Sequence, residues 1–245
     1  MKVLISGALG RMGQEVAKML DNKKIPYSKM DIAYSANSDK NCFNEFCKCD
    51  KNIDLIIDFS NHKATKNLCD YAVANNIPTV IATTGHTDEE LAYIANASKN
   101  VAIFKSGNMS IGIALLANLT KLAVATMKDA SVEIVEVHHD RKLDAPSGTA
   151  LMLANAVKEI RPESTFVCGR SGICPRTKEE IGIHSLRMGN IIGEHEVIIA
   201  TDTQTIKLKH EAHSRSLFAE GSLTVGEFII GKPAGLYNMD NIFSL

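Results

Sequence analysis

The sequence predicts an α/β chain: a doubly wound parallel sheet joined to an α+β region with an open mixed sheet. Three observations carry this. Residues 1–107 alternate short apolar runs with helically spaced ones, the rhythm of parallel strands joined by crossover helices. After about Gly107 strand-like runs cluster and helices thin out. From about Ser214 the chain reads as helical again, with Gly221 and Gly226 inside that run. A first domain of 1–107 with 214–245 and a second of 108–213 are therefore expected.

The elements follow in order. Val3-Leu4-Ile5 is a short buried-type strand, and Val16, Met19 and Leu20 then mark one face of a helix. Asp31-Ile32-Ala33-Tyr34 is the second strand candidate and Ile53 to Phe59 a strongly apolar third. A helix from about His62 to Asn75 leads to Thr79-Val80-Ile81-Ala82, and another precedes Val101 to Phe104. Beyond Gly107, Ile113, Leu116, Ala117, Val124 and Met127 share a helical face, and Ser131 to Val137 reads as a strand. Strand-like runs at Ile183–Arg187, Glu194–Thr201 and Thr203–Lys209 follow; the last two form an antiparallel hairpin. Cys168 to Gly182 reads as a long surface loop. An open sheet must cover its apolar face, so oligomerisation through it is expected.

Bulk properties narrow the function. The chain has 245 residues, 45% hydrophobic and 22% charged, as a packed soluble protein has. Its 27 basic and 28 acidic side chains give a net charge of −1, which argues against nucleic acid or an anionic membrane as partner. No run reaches membrane-span length, and Met1 to Gly7 breaks too early for a secretory signal, so a cytoplasmic setting is expected. The spacings of Cys42, Cys47, Cys49, Cys69, Cys168 and Cys174 fit neither a zinc ribbon nor a disulfide scaffold. Reduced thiols and no metal are the expectation.

Gly7-Ala8-Leu9-Gly10-Arg11-Met12-Gly13 joins the first strand to the first helix with G-x-x-G-x-x-G spacing, a variant of the dinucleotide fingerprint of a Rossmann-type sheet. A glycine triplet also serves any tight strand-to-helix turn; its place in a βαβ unit favours nucleotide binding. The helix N-terminus offers free N–H groups to a pyrophosphate. Ala33 to Ser38, at the expected end of strand two, holds neither an acid for a ribose nor an arginine for a 2′-phosphate. Ser35, Asn37, Ser38 and Lys40 permit NADPH, and NADH is not excluded. Ala82-Thr83-Thr84-Gly85 and Ser106-Gly107-Asn108-Met109 follow strand ends, where ligands sit in open α/β sheets, so these loops are expected to border the nicotinamide.

The densest chemistry lies in Glu136 to Ala150, EVHHDRKLDAPSGTA. Two histidines, a lysine and a Ser-Gly-Thr turn lie between a strand and a helix. Ser147 reads as the helix N-cap, and the same N-terminus suits a carboxylate. Adjacent strand residues face opposite ways, which disfavours one metal held by both His138 and His139. Asp144 reads as a salt-bridge or turn residue.

Together the glycine motif, Thr83-Thr84-Gly85, Asn108 to Gly112, the E-x-H-H-x-x-K-x-D-A-P-S-G-T run, Arg187-x-Gly189 with Gly193-Glu194-His195, and Ser214-Arg215 with Phe218-Ala219 resemble the 4-hydroxy-tetrahydrodipicolinate reductase (dihydrodipicolinate reductase) family. Two positions depart from the usual pattern, Ala82 for a glycine and Met109 for an aromatic. The resemblance implies NAD(P)H-dependent reduction of a cyclic imine-type dicarboxylate in the diaminopimelate route to lysine, by a homotetramer joined through the second domains. It assigns His138 and Lys142 to catalysis, Lys142 being the stronger candidate for proton donor. It places His139, Gly148 and Thr149 against the substrate carboxylates. Arg187 and His195 are expected to anchor loops or interfaces; Arg215 is read as meeting the substrate or holding the two domains, with a structural salt bridge ranked slightly higher. A homoserine or aspartate dehydrogenase type would share the glycine motif without the His-His-x-x-Lys run, and an NAD(P)-sensing protein would have no use for His138 and Lys142.

Overall fold

The structure, a computed structural model, describes residues 1–35 and 39–243. The chain divides into two compact units, Met1–Ser110 with Arg215–Leu245, and Ile111–Ser214.

The first unit is a seven-stranded sheet in which every pair is parallel. Its elements are β1 (Val3–Ser6), α1 (Arg11–Lys23), β2 (Tyr27–Met30), β3 (Cys42–Phe43), β4 (Leu55–Asp58), α2 (Thr65–Asn75), β5 (Thr79–Ile81), α3 (Asp88–Ala97) and β6 (Ala102–Lys105). The strand order, from the edge strand that closes the chain, is Gly235–Tyr237, then β6-β5-β4-β1-β2-β3. The order reverses at β1, between β4 and β2, and a doubly wound sheet opens its ligand crevice at such a switch point. The central strands are buried throughout, as crossovers on both faces require. Val16, Met19 and Leu20 pack α1 inward as their spacing predicts.

In the second unit α4 (Ile111–Thr126), β7 (Ser131–His138), α5 (Gly148–Ile160), β8 (Thr165–Cys168), β9 (Glu180–Arg187), β10 (Gly193–Ala200) and β11 (Thr205–Ala212) form a mixed sheet, β11-β10-β7-β9-β8. The β10–β11 hairpin is antiparallel, β10 also pairs antiparallel with β7, and β7 and β8 run parallel to β9. One sheet face packs on α4 and α5 through Ile113, Leu116, Val132, Ile134, Leu153, Val157, Ile183 and Val197. The other face carries half-buried Val135, Val137 and Ile198 among charged neighbours. The chain then returns to the first unit with α6 (Ser216–Ile229) and β12 (Gly235–Tyr237).

Two expectations need correction. The second strand is Tyr27–Met30, not Asp31–Tyr34. Its polar look is misleading, because Ser28 and Met30 point inward and Ser28 Oγ donates to Asp50 at 2.9 Å. The segment Cys168–Gly182 is a loop only in its middle, since β8 ends in it and β9 begins in it. The strands that the pattern missed, β3, β8 and β12, are all short edge strands, where little apolar surface is buried to mark them.

Gly226 explains a glycine inside α6. A Cβ there would lie 2.5 Å from Leu55 Cδ2, and Leu55 is fully buried on β4. Gly226→Ala is expected to lower stability by about 1–3 kcal/mol in denaturant unfolding, and Leu55→Val in the same chain to recover part of the loss.

Candidate active site

The glycine loop leaves β1 at Gly7, whose φ of +78° and close approach to Phe59 O (2.6 Å from a built Cβ) admit no side chain. A Cβ on Gly13 would lie 2.2 Å from Gly7 O, so α1 packs directly on the loop. Gly10 caps α1 without a side chain, and Leu9, Gly10 and Arg11 are exposed beside it. The first-turn N–H groups thus face an open cradle, which fits a dinucleotide pyrophosphate.

Because β2 ends at Met30, the acid sought at Ala33–Ser38 stands at Asp31, directly after the strand. Its carboxylate accepts N–H groups from Leu9 (3.0 Å) and Ala33 (3.1 Å), so it borders the glycine loop. Ser35 is exposed, while Asn37 and Ser38 lie outside the described residues. The misplaced strand hid Asp31.

Asp58, at the end of β4, is completely buried and accepts hydroxyl protons from Ser6 (2.6 Å), Ser60 (2.5 Å) and Thr83 (2.6 Å). It ties together the ends of β1, β4 and β5. Burial, with only neutral donors opposing it, pushes its carboxyl above the ordinary range. The Thr83 hydroxyl is therefore spoken for, and Ala82 and Met109 are buried side chains. Thr84, Gly85 and Gly107 form the exposed part of these loops. Ser106 Oγ donates to Asn108 O at 2.7 Å, and Asn108 Oδ1 accepts Ser110 N–H at 2.8 Å, which fixes the second loop by its own side chains.

In the second unit Glu136 and His138 share the buried face of β7, two residues apart. Glu136 has no solvent exposure. Arg187 grips it with two bonds, Nη2 to Oε1 (2.8 Å) and Nη1 to Oε2 (2.9 Å). Ser147 N–H donates to Oε1 at 3.1 Å, and His138 Nδ1 meets Oε2. Burial pushes Glu136 up, but the hydrogen bonds from Arg187, Ser185 and His138 outweigh it and bring the carboxyl to about 2. Burial likewise drives His138 below the ordinary imidazole range, against the raising effect of Glu136.

Ser147 caps α5, accepting Ala150 N–H at 3.1 Å, as expected. Its Oγ lies 3.2 Å from His195 Nε2, and His195 stacks edge-on with His138, centroids 5.1 Å apart. Gly148 follows at the exposed start of α5, where a Cβ would meet open space. Lys142 Nζ pairs with Asp144 at 2.9 Å on the connecting loop. Lys142 N–H also closes a turn on His139 O at 3.1 Å. His139, just past the end of β7, donates its backbone N–H to Ile191 O at 2.7 Å.

Arg187, expected to anchor a loop or an interface, does hold the connecting loop through Asp144 O (2.7 Å), and it and His195 also join the cluster. The register sets Arg187 opposite His138 and His195 opposite Glu136, so both enter the cluster. Sequence spacing holds no trace of this pairing, whereas the i, i+2 relation of Glu136 and His138 was there to be read. Arg215 forms no ion pair among the described residues. Glu136, His138 and His195 present ligand-type atoms within 4.8 Å of one another. The guanidinium of Arg187 already satisfies both carboxylate oxygens, so the trio is a charge-balanced hydrogen-bond cluster.

His195 makes a measurable link to stability. Burial, then repulsion from His138, lowers its pKa from 6.5 to about 3. The unfolded chain binds this proton below about pH 6.5 and the folded chain does not, so folding weakens as pH falls from about 6.5 to about 3. Between pH 7 and pH 5 this group is expected to cost about 2 kcal/mol. Urea unfolding of His195→Asn should show an acid loss smaller by that amount; equal losses would refute the assignment.

Comparison with known proteins agrees with this layout. Residues 1–109 match the family model for the dihydrodipicolinate reductase N-terminus and residues 112–243 that for its C-terminus. A 4-hydroxy-tetrahydrodipicolinate reductase from Clostridium novyi is 42% identical over 98% of this chain and 97% of its own. One from Caldanaerobacter subterraneus is 42% identical with the same coverage. The dipicolinate-bound dihydrodipicolinate reductase from Paenisporosarcina sp. TG-14 superposes with a TM-score of 0.81 at 25% identity, over 99% of both chains. An amine dehydrogenase from Mycobacterium smegmatis shares the fold alone, with a TM-score of 0.65 at 10% identity. With both of its units matched by the family's two models, the chain belongs to the dihydrodipicolinate reductase family.

Proposed function

We propose that this protein reduces 4-hydroxy-tetrahydrodipicolinate, a small cyclic dicarboxylate, with a hydride from a reduced nicotinamide dinucleotide, in the diaminopimelate route to lysine. The names of its relatives support the activity. The observation that carries it is local: a lysine ammonium, a buried Glu–His pair and the N-terminus of α5 all stem from one fifteen-residue strand–loop–helix segment.

Each part has a task. Bound at the glycine loop, the dinucleotide supplies the hydride. Reduction of a double bond conjugated to an imine also needs a proton at the neighbouring centre, and Lys142 is the donor. Asp144 holds the Lys142 ammonium on its loop. His139, Ser147, Gly148 and Thr149 bind the substrate carboxylates at the start of α5, where the helix dipole favours an anion and Gly148 leaves room for it. Asp31 binds the adenosine ribose hydroxyls and repels a 2′-phosphate, which makes NADH the preferred cofactor. The half-buried apolar residues on the open sheet face support a homotetramer. A cytoplasmic setting accords with six unpaired cysteines. Among the described residues no helix is long and apolar enough to cross a membrane.

The test supplies NADH or NADPH with the condensation product of pyruvate and aspartate semialdehyde and follows nicotinamide absorbance. Oxidation is expected, with kcat/KM for NADH at least about tenfold above that for NADPH, and Asp31→Ala is expected to erase the difference. Lys142→Ala should bind NADH normally yet lose about 100-fold or more in kcat. No oxidation with either cofactor would sink the reading, and full turnover by Lys142→Ala would remove its proton donor.

A further inference from the structure

We infer that Glu136 is a positioning residue that fixes His138 with its proton on Nδ1, so that Nε2 presents a lone pair and His138 serves the site as an acceptor rather than as a proton donor. The hydrogen-bond inventory of one carboxylate leads there. Oε1 of Glu136 accepts from Arg187 Nη2 and Ser147 N–H. Oε2 accepts from Arg187 Nη1 and contacts His138 Nδ1. A guanidinium cannot be deprotonated, and a carboxylate that it holds in two places is ionised and only accepts. The Nδ1 contact is therefore possible in one sense alone, with the imidazole donating.

The other ring nitrogen follows from this. A neutral imidazole has a single N–H, so Nε2 is unprotonated. No group among the described residues bonds to it. The backbone of Gly193, on β10, runs beside it, and a Cβ at that position would lie 3.0 Å from Nε2. A side chain there would crowd Nε2, which the glycine avoids.

Burial, against the pull of Glu136, favours the neutral ring. Glu136 on β7 favours an imidazolium; Arg187 on β9 and Lys142 on the following loop oppose it. His195 on β10 packs against the ring edge and is itself held neutral by burial. The two cations thus add to the effect of burial. The roles of His138 and Lys142, both assigned to catalysis by the resemblance, then separate. The proton leaves Lys142 Nζ and bonds to the substrate, the amine left behind takes a replacement proton from water, and His138 keeps its own. His138 Nε2 accepts a hydrogen bond from an N–H or O–H of the substrate or of Lys142, which orients the transfer.

The catalytic part rests on the reductase reading above; the tautomer does not. Nitrogen-15 spectra of the full chain with labelled histidine, with His138→Asn to identify the signal, read it without turnover. At pH 7 His138 is expected to show a protonated-type Nδ1 and an unprotonated-type Nε2. Glu136→Gln should move a substantial fraction of the ring to the Nε2–H form. In the assay it should lower kcat about tenfold or more while leaving the KM for NADH unchanged. A wild-type ring with its proton on Nε2, or doubly protonated at pH 7, would overturn the inference whether or not the variant folds. So would a Glu136→Gln protein with the wild-type tautomer. Absence of reductase activity with the expected tautomer would sink the functional reading and leave the Glu136 assignment standing.

Discussion

The second unit turns on one buried ion pair, Glu136 with Arg187. The carboxylate has no exposure and the guanidinium little, so neither charge could be left alone without a large desolvation cost. The cost is offset by hydrogen bonds to the carboxylate and to both terminal nitrogens of the guanidinium. Glu136 accepts from Arg187, from Ser147 and from His138. Arg187 Nη1 and Nη2 also donate to the carbonyls of Leu186 (2.7 Å) and Asp144 (2.7 Å), while its Nε is buried without a partner among the described residues. One pair thereby locks β7 to β9, sets the ring of His138, holds the first residue before α5, and ties down the loop that carries Lys142. A site built of loop residues acquires the rigidity of a sheet by this means.

The first unit solves a similar problem with different electrostatics. Asp58 also ends a central strand in complete burial, and it also gathers several loops. Its partners are three hydroxyls, with no cation among them. Burial therefore wins and its carboxyl is pushed up, whereas at Glu136 the guanidinium wins and the carboxyl falls to about 2. The contrast separates two uses of a buried acid. Asp58 braces loops around the cradle of an uncharged backbone turn. Glu136 also imposes a charge state and a direction of donation on the histidine beside it.

The parallel, doubly wound character of the first unit, the β10–β11 hairpin, the Ser147 cap and the glycine loop were legible in the sequence, because each depends on local periodicity or on one residue's turn chemistry. Asp31 was hidden by a strand placed four residues late, itself a result of the polar Tyr27-Ser28-Lys29 run. Arg187 and His195 join the cluster through register between strands far apart in the chain, and no local pattern encodes register of that kind. Glu136 was visible by strand alternation with His138, yet an acid on an apolar face acquires meaning only once its cation is known. Met109 and Thr83, read as loop residues facing a cofactor, turn out to be buried side chains, because strand-end loops fill the core as well as line the crevice.

The central claim, that the Glu136–Arg187 pair organises the site, is tested most directly by a double-mutant cycle on stability. Urea unfolding would be compared for Glu136→Gln, Arg187→Gln and the double variant at pH 7. Each single change leaves one buried charge without its partner and is predicted to cost about 3–5 kcal/mol. The double change removes both charges and is predicted to cost clearly less than the sum, a coupling on the order of 2 kcal/mol or more. Single losses near zero, or strictly additive ones, would contradict the account.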